Sequence, residues 1–206
     1  MNDLEFSAFL VSRVCHDLVS PLGAVVNGLE VLEAERDAAM RADALKIVTS
    51  SATQALARLQ FLRLAFGAAG SAGAELDLGE VGRLTAGLLR GGKVALQWET
   101  PSVNWPKDWA KLVMNATIIA AECLPRGGTI RIETSTDPAV FGFKIVATGQ
   151  GARIVADVER ALRGETADEP YDARGVQPYL THRLAKKLNA GLTMTAREGQ
   201  VELVAG

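Results

Sequence analysis

The chain has 206 residues, of which 22 are lysine or arginine and 24 are aspartate or glutamate, so its net charge at pH 7 is −2. This balance excludes the basic stripe of a nucleic-acid-binding protein and the polybasic patch of a membrane-surface protein. There is no signal-peptide pattern, no apolar run near the ~20 residues of a transmembrane helix, and no CxxC pair. The sequence therefore predicts a cytoplasmic protein that binds neither nucleic acid nor membrane.

The first predicted helix runs from about Leu4 to Glu35 and carries apolar residues on one face. They recur at spacings of three and four, as Leu10, Val14, Leu18, Leu22, Val25, Leu29 and Leu32. His16 lies two positions from both Val14 and Leu18, so it points about 200° away from that stripe. A solvent-facing histidine beside the carboxylate of Asp17 favours a chemical role, and the alternative is a surface histidine on a structural helix.

A second helix follows a short connection at 36–41, in which Asp37 is a suitable N-cap. It carries a heptad seam of apolar residues: Leu45, Val48, Ala52, Ala55, Leu59, Leu62 and Phe66. Two helices joined by a short loop pack antiparallel, but a lone hairpin buries too little apolar surface. We therefore expect residues 1–70 of two chains to form a four-helix bundle, which makes the protein a homodimer.

The segment 67–73 contains only small residues and glycines after the last seam position, which is typical of a linker. Residues 74–206 then have a mixed α/β pattern. We predict helices at 78–89, 106–124, 154–162 and 177–189, with Gly191 capping the last, and strands at 93–99, 129–134, 141–147, 192–197 and 200–204. The expected fold class is α+β, with a helical hairpin domain first and an α/β sandwich domain second.

The run from His16 to Leu22, His-Asp-Leu-Val-Ser-Pro-Leu, resembles the H-box of two-component sensor kinases. In that family a histidine and an acid, two further residues, a small polar residue and Pro-Leu mark the phosphorylated helix. The resemblance implies that His16 is the nucleophile and that Asp17 tunes or orients it. It also implies that the second helix completes a dimerisation domain and that the α/β half corresponds to the ATP-binding, GHKL-type domain.

The α/β half departs from that family at the positions that bind nucleotide. The kinases have two asparagines four residues apart on one helix, the second binding magnesium; here Asn115 is followed by Ile119. Ala147 stands where the family has an adenine-binding aspartate, and the glycine-rich third box is reduced to residues 175–179. Isoleucine offers no oxygen ligand to magnesium. We therefore expect the chain to bind no nucleotide cofactor and no metal.

An H-box hairpin joined to a degenerate kinase-like domain resembles the ChpT-type histidine phosphotransferases of alphaproteobacteria. The resemblance implies a protein that accepts a phosphoryl group from the receiver domain of a hybrid histidine kinase and passes it to response regulators, without ATP-dependent autophosphorylation. The receiver would supply the magnesium. Two alternatives stay open, which are an active ATP-dependent kinase with divergent boxes and a non-catalytic kinase-like docking or inhibitor protein.

The receiver is expected to dock on the face of the first helix that carries His16, where small residues permit close approach. The predicted receiver-binding residues are Arg13, Val19, Ser20, Gly23, Val26 and Asn27. The other histidine, His182, has no comparable context and is expected to be a solvated surface residue. Cys15 is interpreted as a small buried hydrophobe.

Overall fold

The computed structural model describes residues 2–67, 74–135, 137, 140–165 and 175–206. It begins with two long helices, α1 (Asp3–Ala34) and α2 (Ala38–Phe66), which form an antiparallel hairpin. Asn2 forms a capping box with Glu5 at the start of α1, and the Asp37 carboxylate caps α2 as predicted. The predicted linker, apart from residue 67, and most of the polar loop before the last helix lie outside the described residues.

The two helices of the hairpin approach closely at Gly28, which is buried. A Cβ atom there would lie 2.6 Å from Val48 Cγ2 and 3.4 Å from the main-chain oxygen of Ala44. Only a glycine fits this approach without displacing a neighbour. The apolar face predicted for α1 is only partly covered in the single chain. Part of it packs on α2, while Leu22 and Leu29 are exposed.

The α/β half contains four helices and two sheets. The helices are α3 (Leu78–Leu89), α4 (Lys107–Glu122), α5 (Ala156–Leu162) and α6 (Val176–Leu188). The strands are β1 (Glu75–Asp77), β2 (Val94–Glu99), β3 (Asn104–Pro106), β4 (Gly128–Thr134), β5 (Phe143–Thr148), β6 (Thr193–Arg197) and β7 (Gln200–Ala205). The main sheet has the order β2-β4-β5-β7-β6, with β2 and β4 parallel and the other pairs antiparallel. The α+β fold class is thereby confirmed.

Two features of this half differ from the prediction. Strands β1 and β3 pair antiparallel in a separate two-stranded sheet and were not predicted, because three residues are too few to show a period of two. The last helix is ended by Asn189, whose backbone is left-handed with φ of 52°, and not by Gly191. Asparagine is the residue that most often replaces glycine at such a cap.

The hydrophobic core runs without interruption from the end of the hairpin into the α/β half. Phe61, Leu62 and Ala65 of α2 belong to the same buried cluster as the inner face of α4 and the strands beneath it. Helix α4 lies at the centre of this cluster, and its residues from 109 to 120 are buried almost without exception. The end of the hairpin is therefore part of the core of the second half.

Helix α1 is long and apolar enough to cross a membrane by length and composition alone, which the sequence analysis did not predict. Its inner face packs on α2, and Arg13 and Asp17 on that face are engaged in ion pairs within the protein. A membrane span would leave these charges in hydrocarbon at considerable cost. We therefore describe α1 as one helix of the hairpin.

Candidate functional site

His16 projects from the middle of the first helix into solvent, with 73% of its side chain exposed. Its Nδ1 atom lies 3.3 Å from Oδ1 of Asp17. A carboxylate can only accept a hydrogen bond, so this contact favours the tautomer in which Nδ1 carries the proton. In the part of the chain that the structure describes, Nε2 of His16 has no hydrogen-bond partner. The unprotonated Nε2 is therefore the atom that this geometry offers to a partner.

Asp17 is held from both helices of the hairpin. Its Oδ2 atom accepts a hydrogen bond from Nε of Arg13 at 3.1 Å. Its main-chain oxygen accepts a hydrogen bond from Nη1 of Arg58, on α2, at 2.8 Å. The side chain of Asp17 is only 24% exposed. The carboxylate beside His16 is thus fixed in orientation, with Oδ1 left for the imidazole.

Arg13 lies between two carboxylates. Besides Asp17, its guanidinium reaches Glu122 at the end of α4, with Nη2 2.9 Å from Oε1. Burial opposes the charge of the guanidinium, but the neighbouring carboxylates outweigh it, and the pKa of Arg13 is raised above its usual value. With 13% of its side chain exposed, Arg13 is not free on the open face. The role of Arg13 in receiver binding stays a prediction, and in the single chain its guanidinium is engaged by Asp17 and Glu122.

The other predicted face residues are exposed along one side of α1. They are Val19, Ser20, Gly23, Val26 and Asn27. A Cβ atom on Gly23 would meet nothing within 4 Å, so the helix is open at the position one to two turns beyond His16. The structure therefore keeps these residues together with His16 and separates them from Arg13.

Sequence reasoning missed two residues of the site, Arg58 and Glu122. Arg58 lies 41 positions from Asp17 along the chain, and Glu122 lies 109 from Arg13. No spacing rule connects such distant residues, because their meeting depends on how the hairpin and α4 pack. Arg58 gives no local signal, because α2 carries other charged residues, such as Lys46 and Arg63, outside its apolar seam.

The side chains at the three positions compared above with the nucleotide-binding boxes of sensor kinases are directed into the protein. Asn115 is fully buried, and its Nδ2 donates to the main-chain oxygens of Ala65 at 3.0 Å and Lys111 at 2.9 Å. Its Oδ1 accepts from Nε2 of Gln177, on α6, at 3.0 Å. Ile119 and Ala147, the other two positions, have no exposed surface. These hydrogen bonds use both donor hydrogens of the Asn115 amide and one of the two acceptor sites of its oxygen.

Lys111 makes a second tie between α4 and the hairpin. Its Nζ donates to the main-chain oxygen of Gly67, the residue that follows α2. Burial lowers the pKa of this lysine. Together with Asn115, Lys111 satisfies carbonyl groups at the end of α2 that have no partner within the helix.

Three further side chains, those of His182, Cys15 and Cys123, lie outside the contacts of His16. His182 is half-buried, and its Nδ1 lies 2.8 Å from the main-chain oxygen of Leu162, so it connects α6 to α5 and is not a solvated surface residue. Cys15 is exposed, contrary to its interpretation as buried, whereas burial raises the pKa of Cys123 to about 11. Within the described residues, no group of three histidine, cysteine or acidic side chains is arranged to hold a metal ion.

The chain is similar to known phosphotransferases over nearly its full length. The family model for the histidine phosphotransferase C-terminal domain matches residues 78–200. The protein phosphotransferase ChpT of Brucella abortus is 40% identical over 199 residues, which are 95% of this chain and 92% of that protein. A solved bacterial phosphotransferase is 34% identical with a TM-score of 0.90, covering 100% of this chain and 98% of the other. The chain therefore belongs to the family of histidine phosphotransferases that includes ChpT.

Proposed function

We propose that this chain carries phosphoryl groups between receiver domains by forming phosphohistidine at His16. It would accept the group from a receiver aspartate of a hybrid histidine kinase and pass it to the aspartate of a response regulator. The observation that carries this proposal is the exposed imidazole of His16, with Nδ1 held by Asp17 and Nε2 directed outward. Membership of the phosphotransferase family supports the same reaction class.

The transfer step follows from this geometry. The lone pair of His16 Nε2 attacks the phosphorus of the receiver's aspartyl phosphate, a nitrogen–phosphorus bond forms, and the phosphorus–oxygen bond to the receiver carboxylate breaks. The carboxylate leaves with the electron pair. Positive charge develops on the imidazole, and the Asp17 carboxylate at Nδ1 stabilises it. The reverse sequence delivers the group to a second receiver.

Phosphoryl transfer requires little of this chain beyond positioning, because the receiver brings the reacting carboxylate and its magnesium. The exposed strip formed by Val19, Ser20, Gly23, Val26 and Asn27 is the docking surface we assign to the receiver. Small residues at its centre let a partner helix approach α1 closely. Reacting atoms must come within about 3–3.5 Å for efficient transfer.

The proposal excludes ATP as the phosphoryl donor. Ile119 has no oxygen to bind magnesium, and the side chain of Ala147 has no acceptor for adenine. The side-chain amide of Asn115 is already hydrogen-bonded to Ala65 and Gln177. Calorimetric titration with Mg-ATP at millimolar concentration should show no specific heat of binding. A micromolar dissociation constant would instead favour the active-kinase alternative.

We further propose that the chain functions as a homodimer in the cytoplasm. Large apolar side chains are exposed on the hairpin of the single chain: Val11, Leu22 and Leu29 on α1 and Leu45, Leu56 and Leu59 on α2. An apolar surface of this extent marks an interface. A second hairpin in a four-helix bundle would cover it, and the two unpaired cysteines suit a reducing compartment.

The central experiment follows radiolabel from a phosphorylated receiver domain to this protein and then to a second receiver. We expect label on the wild type and on His182→Ala, and none on His16→Ala. His182 is the matched control because it is the only other histidine of the chain. Transfer that persists in His16→Ala would exclude the proposal, and a cellular function retained by that variant would favour the docking-protein alternative.

A further inference from the structure

We propose that Glu122, in the α/β half, is a positioning residue for the reaction at His16 and acts through Arg13. The inference rests on the proposed function and adds a contribution from the half of the chain that has lost the nucleotide-binding residues. Glu122 touches neither His16 nor a receiver in this scheme. Glu122 holds the guanidinium of Arg13 in place, and this guanidinium in turn orients the carboxylate of Asp17.

The connection is a continuous chain of charged contacts. His16 Nδ1 lies 3.3 Å from Asp17 Oδ1, and Asp17 Oδ2 lies 3.1 Å from Arg13 Nε. Arg13 Nη2 lies 2.9 Å from Glu122 Oε1. The two carboxylates accept from different nitrogens of the guanidinium, Nε and Nη2, which the planar, forked arrangement of arginine donors allows. Three side chains, those of Asp17, Arg13 and Glu122, therefore join the reacting imidazole to the end of α4.

Glu122 supports the ion pair between Arg13 and Asp17 from outside helix α1. Arg13 and Asp17 are four residues apart on one helix, and such pairs contribute little when solvent competes for them. Glu122 holds the guanidinium from a second element, so Arg13 cannot turn away into water. Arg13 then keeps Oδ2 of Asp17 occupied and leaves Oδ1 facing His16.

The charges around Asp17 support the same role. Two guanidinium groups, those of Arg13 and Arg58, lie against Asp17, and its own carboxylate balances only one of them. Glu122 provides the second negative charge. Without Glu122, the cluster of Arg13, Arg58 and Asp17 would carry a net positive charge. This charge would lie beside an imidazole that itself becomes positive during transfer. Glu122 therefore lowers the electrostatic cost of phosphohistidine formation.

The first test measures single-turnover transfer from a phosphorylated receiver over a range of receiver concentrations. Glu122→Gln keeps the shape and removes the charge, so it should lower the maximal rate about threefold to tenfold with the half-saturating concentration changed by less than about twofold. Glu122→Asp, which keeps the charge, should recover part of the rate. A change in the half-saturating concentration alone would show a docking role and overturn the inference.

A double-substitution cycle tests whether Glu122 acts through Arg13. If it does, adding Glu122→Gln to Arg13→Ala should lower the maximal rate no further than Arg13→Ala alone. Additive losses would overturn the inference. Glu159→Gln is the matched control, because it makes the same change at an exposed i,i+4 pair with Arg163 in α5; its maximal rate should equal that of the wild type.

Nuclear magnetic resonance of the His16 ring in the unphosphorylated protein provides a readout that needs no transfer. Long-range nitrogen–proton correlations should report the Nδ1–H tautomer in the wild type and a shift toward Nε2–H in Glu122→Gln. If Glu122→Gln changes neither the tautomer nor the rate, the role of Glu122 is overturned and the proposed function is unaffected. A wild type that takes no label from any receiver would overturn the proposed function instead. If Glu122→Gln does not fold, Arg13→Lys, which can reach only one carboxylate, should give the same shift.

Discussion

Asn115 donates a hydrogen bond to the main-chain oxygen of Ala65 across 3.0 Å, and this contact joins the centre of α4 to the last turn of α2. The same amide accepts from Gln177, so three helices meet at one buried side chain. Asn115 is therefore part of the packing between the hairpin and the α/β half. The two halves therefore share one buried network as well as one hydrophobic core.

The shared core predicts that the two halves unfold together in urea. Far-UV circular dichroism reports mainly the long hairpin helices, of 32 and 29 residues, while all three tryptophans lie in the α/β half. We expect the two signals to give the same midpoint. Asn115→Ala should move both midpoints together and lower the free energy of unfolding by about 1–3 kcal/mol, since it leaves buried polar groups unpaired. Asn104→Ala, at an exposed position, is the control, and separate transitions would contradict the prediction.

The open surface at Gly23 predicts a variant that blocks the receiver without disturbing the fold. A Cβ atom there would meet nothing within 4 Å and the position is exposed, so Gly23→Arg should fold normally. Its bulk and charge should slow phosphotransfer by at least about tenfold, because a misplacement of ~1 Å can cost on the order of 100-fold. Gly23→Ala is the matched control and should transfer at the wild-type rate. Normal transfer by Gly23→Arg would mean that the receiver docks elsewhere.

The exposed apolar residues of the hairpin predict a dimer that one charge can dissociate. Light scattering should give twice the 21.8 kDa mass of one chain for the wild type. Leu56→Glu places a carboxylate among Leu45 and Leu59 and should give a monomer. Ile47→Glu is the control, because Ile47 is equally exposed but lies about 200° from Leu45 around the helix. A dimer that survives Leu56→Glu would place the interface on another surface.

The two cysteines are predicted to differ in reactivity. Burial and the adjacent Glu122 raise the pKa of Cys123 to about 11, so about one thiol in a thousand is ionised at pH 8. Cys15 is exposed. Brief treatment with iodoacetamide at pH 8 should label Cys15 alone, as measured by peptide mass spectrometry. Both should react in urea, and labelling of Cys123 in the folded protein would contradict its burial.

The features that the sequence predicted are those encoded within one element. The H-box resemblance singled out His16, and because the run lies within a single helix, its spacing was sufficient to predict that His16 faces solvent. Helix bounds were predicted to within a few residues because caps such as Asp37 are local. The parallel pairing of β2 with β4 was not predicted, since the sequence pattern marks a strand but not its neighbour in the sheet.

Two contacts of named residues depend on packing between elements and not on the local sequence. Arg13 was assigned to the receiver face from its angle on α1, but its side chain is directed to Glu122, which belongs to another element. His182 was interpreted as solvated because its own helix is charged, although the main-chain oxygen it contacts comes from Leu162 in the preceding helix. In both cases the partner is distant along the chain, and only the packed structure identifies it.

The ties from Lys111 and Asn115 to the end of α2 have a consequence for signalling. The α/β half is anchored to the hairpin through core residues. It does not need to move to expose His16, because the His16 side chain is already exposed to solvent. We therefore expect the chain to have no inactive state of its own. Flow through it would follow the difference in phosphoryl-transfer potential between the receivers on either side, so that the direction of the signal is decided upstream and downstream of this protein.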